Sequence, residues 1–392
     1  MDLVFCTEGR FIRRSDNSVY SLDGSLTNKL WERYLASFDR IFVMARVLTD
    51  DHLEIRDIYL ASSERVVFID LPYYIGPFQY VKVYFKLKNI ISRHIKPGRA
   101  YICRVPGQIG NSVAKILWKK RISYGVEVVG DPWDVFAPGA SRHFLRIFFR
   151  YHSRYFLKKV VKRSVAALYV TDKTLQSRYP VRSGVFQVSA SDVQINTNQL
   201  PSVAKKFHHH NVYNLISVGS LEQMYKAPDV VLHAVKKLKD RGVICNLTWL
   251  GDGVYKSEMQ NLADCLGIQD QVHFIGNIPS EGVVQQLLKS DIFILVSRTE
   301  GLPRALIEAM SIGLPCIGTQ VGGIPELLEE TVLIPKDDID ALVNKIEYMT
   351  RNACFTSDQA TLNYEKSKNY YGPVLNARRE SLYNELISLS MN

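Results

Sequence analysis

Glu300 and Glu308 lie eight residues apart in a 392-residue chain, within the stretch DIFILVSRTEGLPRALIEAMSIGLPCIGTQVGGIPE at positions 291–326. Eight residues span about two turns of a helix, at roughly 3.6 residues per turn. A helix opening between the two glutamates therefore places their carboxylates along one face. Carboxylates accept hydrogen bonds from hydroxyls, and the free N–H groups at a helix start suit an anion. Together these groups suit a ligand that carries both, such as a phosphorylated sugar or ribose. The alternative is a first-turn helix acid followed by a solvated glutamate, and spacing alone leaves both readings open.

The elements that must hold these residues are legible around them. Asp291 to Val296 is a short apolar run rich in branched residues, as expected of a buried parallel strand. Ser297 to Gly301 forms the turn, and Pro303 fits the first turn of a helix, where its missing N–H costs nothing. Leu306, Ile307 and Met310 repeat at helical spacing, and Gly313 stops the helix. A second strand, Pro315 to Gly318, leads through Gly322 and Gly323 to another helix start at Pro325. In open α/β sheets, ligands bind at such turns, at the carboxyl ends of the strands.

This stretch resembles the signature of family-4 retaining glycosyltransferases of the GT-B fold. The shared residues are Glu300 and Glu308, Ala309-Met310, Gly313 with Pro315, and Gly322-Gly323-Ile324-Pro325-Glu326. The likeness is strong from about Asn214 to Asp340. It implies an α/β protein with two Rossmann-like parallel-sheet domains facing a cleft, and a C-terminal helix able to cross back to the first domain. The expected division is 1–200 for an acceptor-binding domain, 201–371 for a nucleotide-sugar domain and 372–392 for the crossing helix.

The resemblance also implies roles. Glu300 would bind the donor sugar and Glu308 the ribose. Lys226 would neutralise the departing diphosphate, assisted by helix-start N–H groups around Gly301 and Leu302. Gly219-Ser220 opens the phosphate-binding turn, but most members carry an arginine where Ser220 stands. Arg298 or Arg304, beside Glu300, would supply the missing cation. Asn277 and Ile278 follow the strand whose loop meets the nucleotide base. The expected activity is transfer of a hexose-type sugar from a nucleotide diphosphate with retained configuration, without metal or other cofactor. The setting would be capsule, O-antigen or exopolysaccharide assembly. The rival classes are a GT-B phosphorylase or nucleotide-sugar epimerase, and a non-catalytic membrane-bound binder.

Composition bounds the rest. Hydrophobic residues make up 46% and charged residues 22%, enough apolar sequence for a sizeable core. The six cysteines lack paired or metal-like spacing, which fits reduced thiols in the cytosol. The opening MDLVFCTEGRFIRR is too short an apolar run for a signal peptide, and no stretch approaches the ~20 apolar residues of a membrane span. A net charge of +10 asks for an anionic partner.

In the first half, Leu3–Cys6, Ile41–Ala45, Val66–Ile69 and Ala100–Val105 read as strands alternating with helices, the rhythm of a parallel sheet. Gly24 and Ser25 open a helix at Asp23, either as a phosphate-approaching turn on the acceptor side or as a plain cap. Asp131, or Asp134, follows an apolar strand and either takes an acceptor proton or caps the turn. Arg142, Arg146, Arg150, Arg154, Lys158 and Lys162 recur every fourth residue, with Phe144, Phe148, Tyr151 and Tyr155 as a separate stripe. Like charges at that spacing cost a helix roughly 0.2–0.5 kcal/mol per pair. An anionic lipid surface would offset this, at roughly 1 kcal/mol per basic residue. The alternative packs the aromatic stripe on the core. The partner is thus an anionic membrane or a polyprenyl-linked acceptor, placing the protein in the cytoplasm against the inner face of the membrane. Nucleic acid is disfavoured for want of a recognition motif. The linker falls near 199–211, including the solvated His208–His210.

Overall fold

The computed structural model describes residues 1–53, 59–135 and 145–391, and divides them into two compact units. The first holds residues 1–130, 152–190 and 376 onward. The second holds 131–151 and 191–375.

The first unit is built on eight strands: β1 (Leu3–Arg13), β2 (Val19–Ser21), β3 (Ile41–Thr49), β4 (Val66–Leu71), β5 (Ala100–Val105), β6 (Gly125–Val128), β7 (Ala166–Tyr169) and β8 (Phe186–Ser189). Their order is β4-β3-β1-β5-β6-β7-β8, all parallel, with β2 antiparallel on β1. Between them run α1 (Asn28–Leu35), α2 (Gly76–His94), α3 (Gln108–Lys119), α5 (Arg146–Arg163), which belongs to this unit from His152, and α6 (Thr174–Arg178), while α4 (Pro132–Val135) falls in the second unit. The strands are nearly continuous apolar runs because helices cover both faces.

Three features depart from the sequence reading. The first strand does not end at Cys6: it shifts register between Cys6 and Arg10, continues to Arg13 and turns back as β2. No apolar alternation marks that extension, because it pairs through backbone. The helix does not open at Asp23 but at Asn28. Asp23 Oδ1 accepts from the Ser25 amide at 3.0 Å, the Ser25 hydroxyl at 2.7 Å and the Ser21 hydroxyl at 3.0 Å. Gly24 sits at φ +68°, where a Cβ would strike the Tyr59 ring. This is the capping reading of the turn. Strand β8 went unnoticed because it is the sheet edge, with Phe186 and Gln187 exposed.

Helix α5 reverses another expectation. Ser153, Leu157, Val160 and Val161 form its buried stripe. At about 100° per residue that stripe turns Ile147, Phe148, Tyr151 and Tyr155 outward, all about 60% exposed, and carries Arg150 inward. Arg150 lies 3.8 Å over the Trp133 ring and donates to the Trp133 carbonyl at 2.8 Å. Arg146 and Arg154 are half-buried, while Lys158 and Lys162 are exposed. The aromatic stripe therefore does not pack on the core. Arg142 lies outside the described residues.

The second unit carries β9 (Tyr213–Val218), β10 (Cys245–Leu250), β11 (Val272–Gly276), β12 (Ile292–Leu295), β13 (Cys316–Thr319) and β14 (Leu333–Ile334). The order is β11-β10-β9-β12-β13-β14, again all parallel. The helices are α7 (Pro228–Asp240), α8 (Lys256–Cys265), α9 (Ser280–Lys289), α10 (Arg304–Ser311), α11 (Ile324–Leu327), α12 (Ile339–Arg351) and α13 (Ala353–Ser367). In a doubly wound sheet, connections leave in opposite directions from the two central strands, and ligands bind at the carboxyl ends there. Here those strands are β9 and β12.

The last helix, α14 (Gly372–Met391), starts in the second unit and belongs to the first from Asn376. Leu382, Tyr383 and Leu386 are fully buried, with the Tyr383 ring 5.3 Å from Tyr34 and 5.5 Å from Phe38. Tyr34 donates to Glu127 Oε1 at 2.7 Å, and Arg104 reaches Glu127 Oε2 at 3.1 Å. The Tyr383 hydroxyl is buried without a hydrogen-bond partner among the described residues. A buried unpaired hydroxyl costs about 1–3 kcal/mol. Tyr383→Phe is therefore expected to match or exceed the wild-type Tm in calorimetry, whereas Tyr383→Ala should lose about 3–5 kcal/mol for the missing ring.

Candidate functional site

Two turns leave the carboxyl ends of β9 and β12 side by side. The first runs from Gly219 through a 3₁₀ turn at Met224–Lys226 into α7. The second runs from Ser297 to Pro303 into α10. Phe293 pairs with Ile216 in the sheet, so the turns share an origin although 74 residues separate their key side chains. Lys226 Nζ donates to Glu300 Oε1 at 2.6 Å, and the Ser297 hydroxyl donates to the same oxygen at 2.6 Å. The Lys226 and Glu300 side chains are only 11% and 9% exposed. The structure thus joins the two residues singled out as diphosphate and sugar ligands into one nearly buried ion pair.

Glycines make this approach possible. A Cβ on Gly219 would lie 2.8 Å from Cγ of Lys226, whose side chain crosses over it. Gly322, at φ +53°, sits against the Glu300 carbonyl, and a Cβ there would collide with it. Gly323 donates to the Gly301 carbonyl at 2.7 Å. The Thr319 hydroxyl donates to the Ser297 carbonyl at 2.7 Å and the Ser217 hydroxyl to the Ile294 carbonyl at 2.9 Å, both buried. The loop after β13 therefore backs the Glu300 turn through main-chain contact that side chains would block.

Helix α10 begins after Pro303 with no side-chain cap, leaving its first amides available. Leu302 is buried, Gly301 half-buried and Arg304 exposed. Glu308 is half-buried on the same helix, and its carboxylate receives no hydrogen bond among the described residues. Burial pushes the Glu308 carboxyl above the ordinary glutamate range, with Arg304 pulling it partly back.

The remaining expected residues fall as follows. Ser220 is exposed; its hydroxyl accepts from the Glu222 amide at 3.2 Å and reaches the Asp252 carbonyl at 3.4 Å. Asn277 is exposed and Ile278 half-buried, just past β11. Arg298 is not available as a replacement cation: Asp229 and Asp337 both hold its guanidinium at 2.7 Å. Asp337 drew no attention in the sequence, since no local pattern marks it. Asp131 is buried and its Oδ1 accepts from the Trp133 amide at 2.8 Å, capping the turn into α4. Asp134 lies on that turn, with its side chain outside the described set.

With this geometry in hand, the comparisons with known proteins converge. Residues 202–368 match the family model described as "Glycosyl transferases group 1". The chain is 29% identical over 353 residues to "Protein CapJ" of Staphylococcus aureus, covering 88% of this chain and 85% of that protein. It is 34% identical over 142 residues to the "Amylovoran biosynthesis glycosyltransferase AmsK" of Erwinia amylovora, covering 34% and 35% of the two chains. The crystal structure of Anabaena HepE in complex with UDP superposes with a TM-score of 0.65 at 13% identity, over 97% of this chain and 99% of that one. Residues 202–368 thus resemble the group 1 glycosyltransferases, and the chain has the GT-B fold. Its relatives include glycosyltransferases of bacterial capsule and exopolysaccharide biosynthesis.

The folded state holds the Glu308 proton more tightly than the unfolded chain does. Ionising it therefore costs stability, and the cost appears as pH rises through the ordinary carboxylate range. Glu308→Gln is expected to melt no lower than wild type, with an advantage larger at pH 8 than at pH 5 by differential scanning fluorimetry. Lys226 and Glu300 support the fold as a buried pair. Losing one partner of a buried pair costs about 3 kcal/mol. Lys226→Met should lose that in urea unfolding, and the added Glu300→Gln should recover part of it.

Proposed function

We propose that the protein transfers a sugar from a nucleotide-diphosphate sugar to a saccharide acceptor with retained anomeric configuration. The observation that carries this reading is the 2.6 Å Lys226–Glu300 pair at the central strands of the second sheet. A nucleotide diphosphate brings its own negative charge to Lys226 and to the open amides of α10. Arg304, exposed at the same helix start, adds the cation that Ser220 cannot. Glu308, whose carboxylate accepts no hydrogen bond among the described residues, takes the ribose hydroxyls, and Glu300 takes a hydroxyl of the donor sugar. Asn277 and Ile278 border the base. HepE, crystallised with UDP, makes a uracil nucleotide the natural first probe.

In the reaction, the bond between the anomeric carbon and the diphosphate oxygen breaks and its electron pair leaves with the diphosphate. The acceptor hydroxyl oxygen bonds to that carbon and its proton is released. Charge accumulates on the departing diphosphate, so preorganised cations and amide dipoles there supply the largest catalytic contribution. The resemblance to family-4 retaining glycosyltransferases supports retention.

The acceptor is proposed to be lipid-linked and met at an anionic membrane surface. Support comes from exposed apolar side chains among cations: Ile147, Phe148, Tyr151 and Tyr155 on α5 with Lys158 and Lys162, and Phe78, Val81 and Phe85 on α2 with Lys82, Lys86 and Lys88. Among the described residues no helix is long and apolar enough to cross a membrane. Contact would therefore be lateral, with aromatic residues entering the interface and lysines meeting head groups.

Thermal shifts against UDP-, GDP- and dTDP-sugars identify the donor. Release of nucleoside diphosphate only when acceptor is added separates transfer from phosphorolysis and epimerisation. Lys226→Ala is expected to lower turnover by at least about tenfold, the scale of a lost charge contact to the leaving group. Wild-type turnover in that variant contradicts the assignment. Flotation with liposomes should show binding that strengthens with anionic lipid and weakens in Phe78→Ser/Phe85→Ser; equal flotation with neutral lipid discards the membrane reading.

A further inference from the structure

Arg298 sits two residues before Glu300 in sequence, yet its bonds run elsewhere. Its backbone N–H donates to the Tyr225 carbonyl at 2.7 Å, and Nη1 donates to the Met224 carbonyl at 2.6 Å. Nη2 reaches Asp229 Oδ2, in the first turn of α7, at 2.7 Å. Nε reaches Asp337 Oδ1, between β14 and α12, at 2.7 Å. The side chain is 15% exposed. A guanidinium has five N–H donors in a fixed plane. Three of them are directed at these three acceptors, on both sides of the Lys226 turn.

We propose that Arg298 is a positioning residue that clamps the Lys226 turn to the Glu300 turn, and that it does not hold the donor's diphosphate. The proposal rests on the roles assigned above to Lys226 and Glu300. Two of the segments that Arg298 binds hold non-glycine residues in the left-handed region: Ala227 at φ 51° and Asp337 at φ 61°. A side chain bearing a Cβ is unfavourable in that conformation unless its surroundings hold it there. Ala227 directly follows Lys226 and is the N-cap of α7. If it relaxes, Lys226 swings away from Glu300. Arg298 blocks that motion twice, through the carbonyls just before Lys226 and through Asp229 just after Ala227. Lysine at position 298 offers one ammonium point and cannot reproduce a planar fork. The cation that compensates for Ser220 is then Arg304, which forms no hydrogen bond or ion pair among the described residues.

The test compares Arg298→Lys, Arg298→Met and Arg304→Gln in the full chain by two measurements. The first is amide hydrogen exchange of the unliganded protein. Arg298→Lys is expected to accelerate exchange at least about tenfold across residues 225–231 and 298–304, leaving β9 and β12 protected, as local opening does. Arg304→Gln should leave both segments unchanged. The second is turnover of the nucleotide sugar found by the thermal-shift panel. Both Arg298 variants should lose at least about tenfold in kcat with donor KM within about threefold, since misplacing a catalytic group acts on the transition state. Arg304→Gln should chiefly raise KM. The clamp is overturned if exchange in Arg298→Lys matches wild type, or if Arg298→Met raises KM and Arg298→Lys restores it, the signature of a diphosphate ligand. The underlying reading fails separately, through wild-type turnover in Lys226→Ala, and exchange then decides the clamp alone. Should Arg298→Met not fold, Asp337→Asn removes one arm of the clamp and is expected to accelerate exchange in the same two segments.

Discussion

A lysine ammonium and a glutamate carboxylate, both almost out of water and 2.6 Å apart, set the requirement that the second unit meets. A pair this buried repays its desolvation only where geometry is held tightly. The chain provides that hold from several directions. β9 and β12 lie adjacent in the sheet, glycines let backbone press against backbone, buried hydroxyls bond the Ser297 and Ile294 carbonyls, and Arg298 ties the two turns together. The pair also suits function. Each partner orients the other, and under the proposed function a diphosphate donor replaces the glutamate as the lysine's counterion while the glutamate turns to a hydroxyl.

The resemblance and the local geometry bear on different things. The resemblance accords with the two parallel sheets and supports the proposed retention. Geometry bears on which arginine could serve the proposed diphosphate site beside Ser220. Of the two nearby arginines, one is committed to carboxylates and carbonyls, and the other, at the start of α10, forms no hydrogen bond or ion pair among the described residues. Proximity in sequence made them equivalent candidates, whereas their bonding makes them opposites.

Much of the second unit was legible because its signals are local. Strand β12, the proline at the head of α10, the glycine that ends it and the Gly322-Gly323 turn each report their own conformation within a few residues. The first unit was legible as a rhythm of strands and helices but not in detail. The β1 extension pairs through main chain, and β8 is an edge strand without a buried alternation. On α5, the cations expected at a lipid surface do not all face outward, and the aromatic stripe of the alternative reading does not turn to the core. The aliphatic stripe Leu157, Val160 and Val161 decides the orientation, and the Trp133 ring receives Arg150. Long-range pairings were out of reach in principle. Nothing near Asp337 or Asp229 announces that Arg298 lies between them, and no spacing rule links Lys226 to Glu300 across 74 residues.

A crystal structure with the nucleotide diphosphate bound would test the account most directly. The expected density places the diphosphate within hydrogen-bond reach of Lys226 Nζ and the first amides of α10, the ribose on Glu308, and Arg298 still bonded to Asp229 and Asp337. A nucleotide bound with its phosphates away from Lys226, or with the Lys226–Glu300 pair intact and untouched, would contradict it.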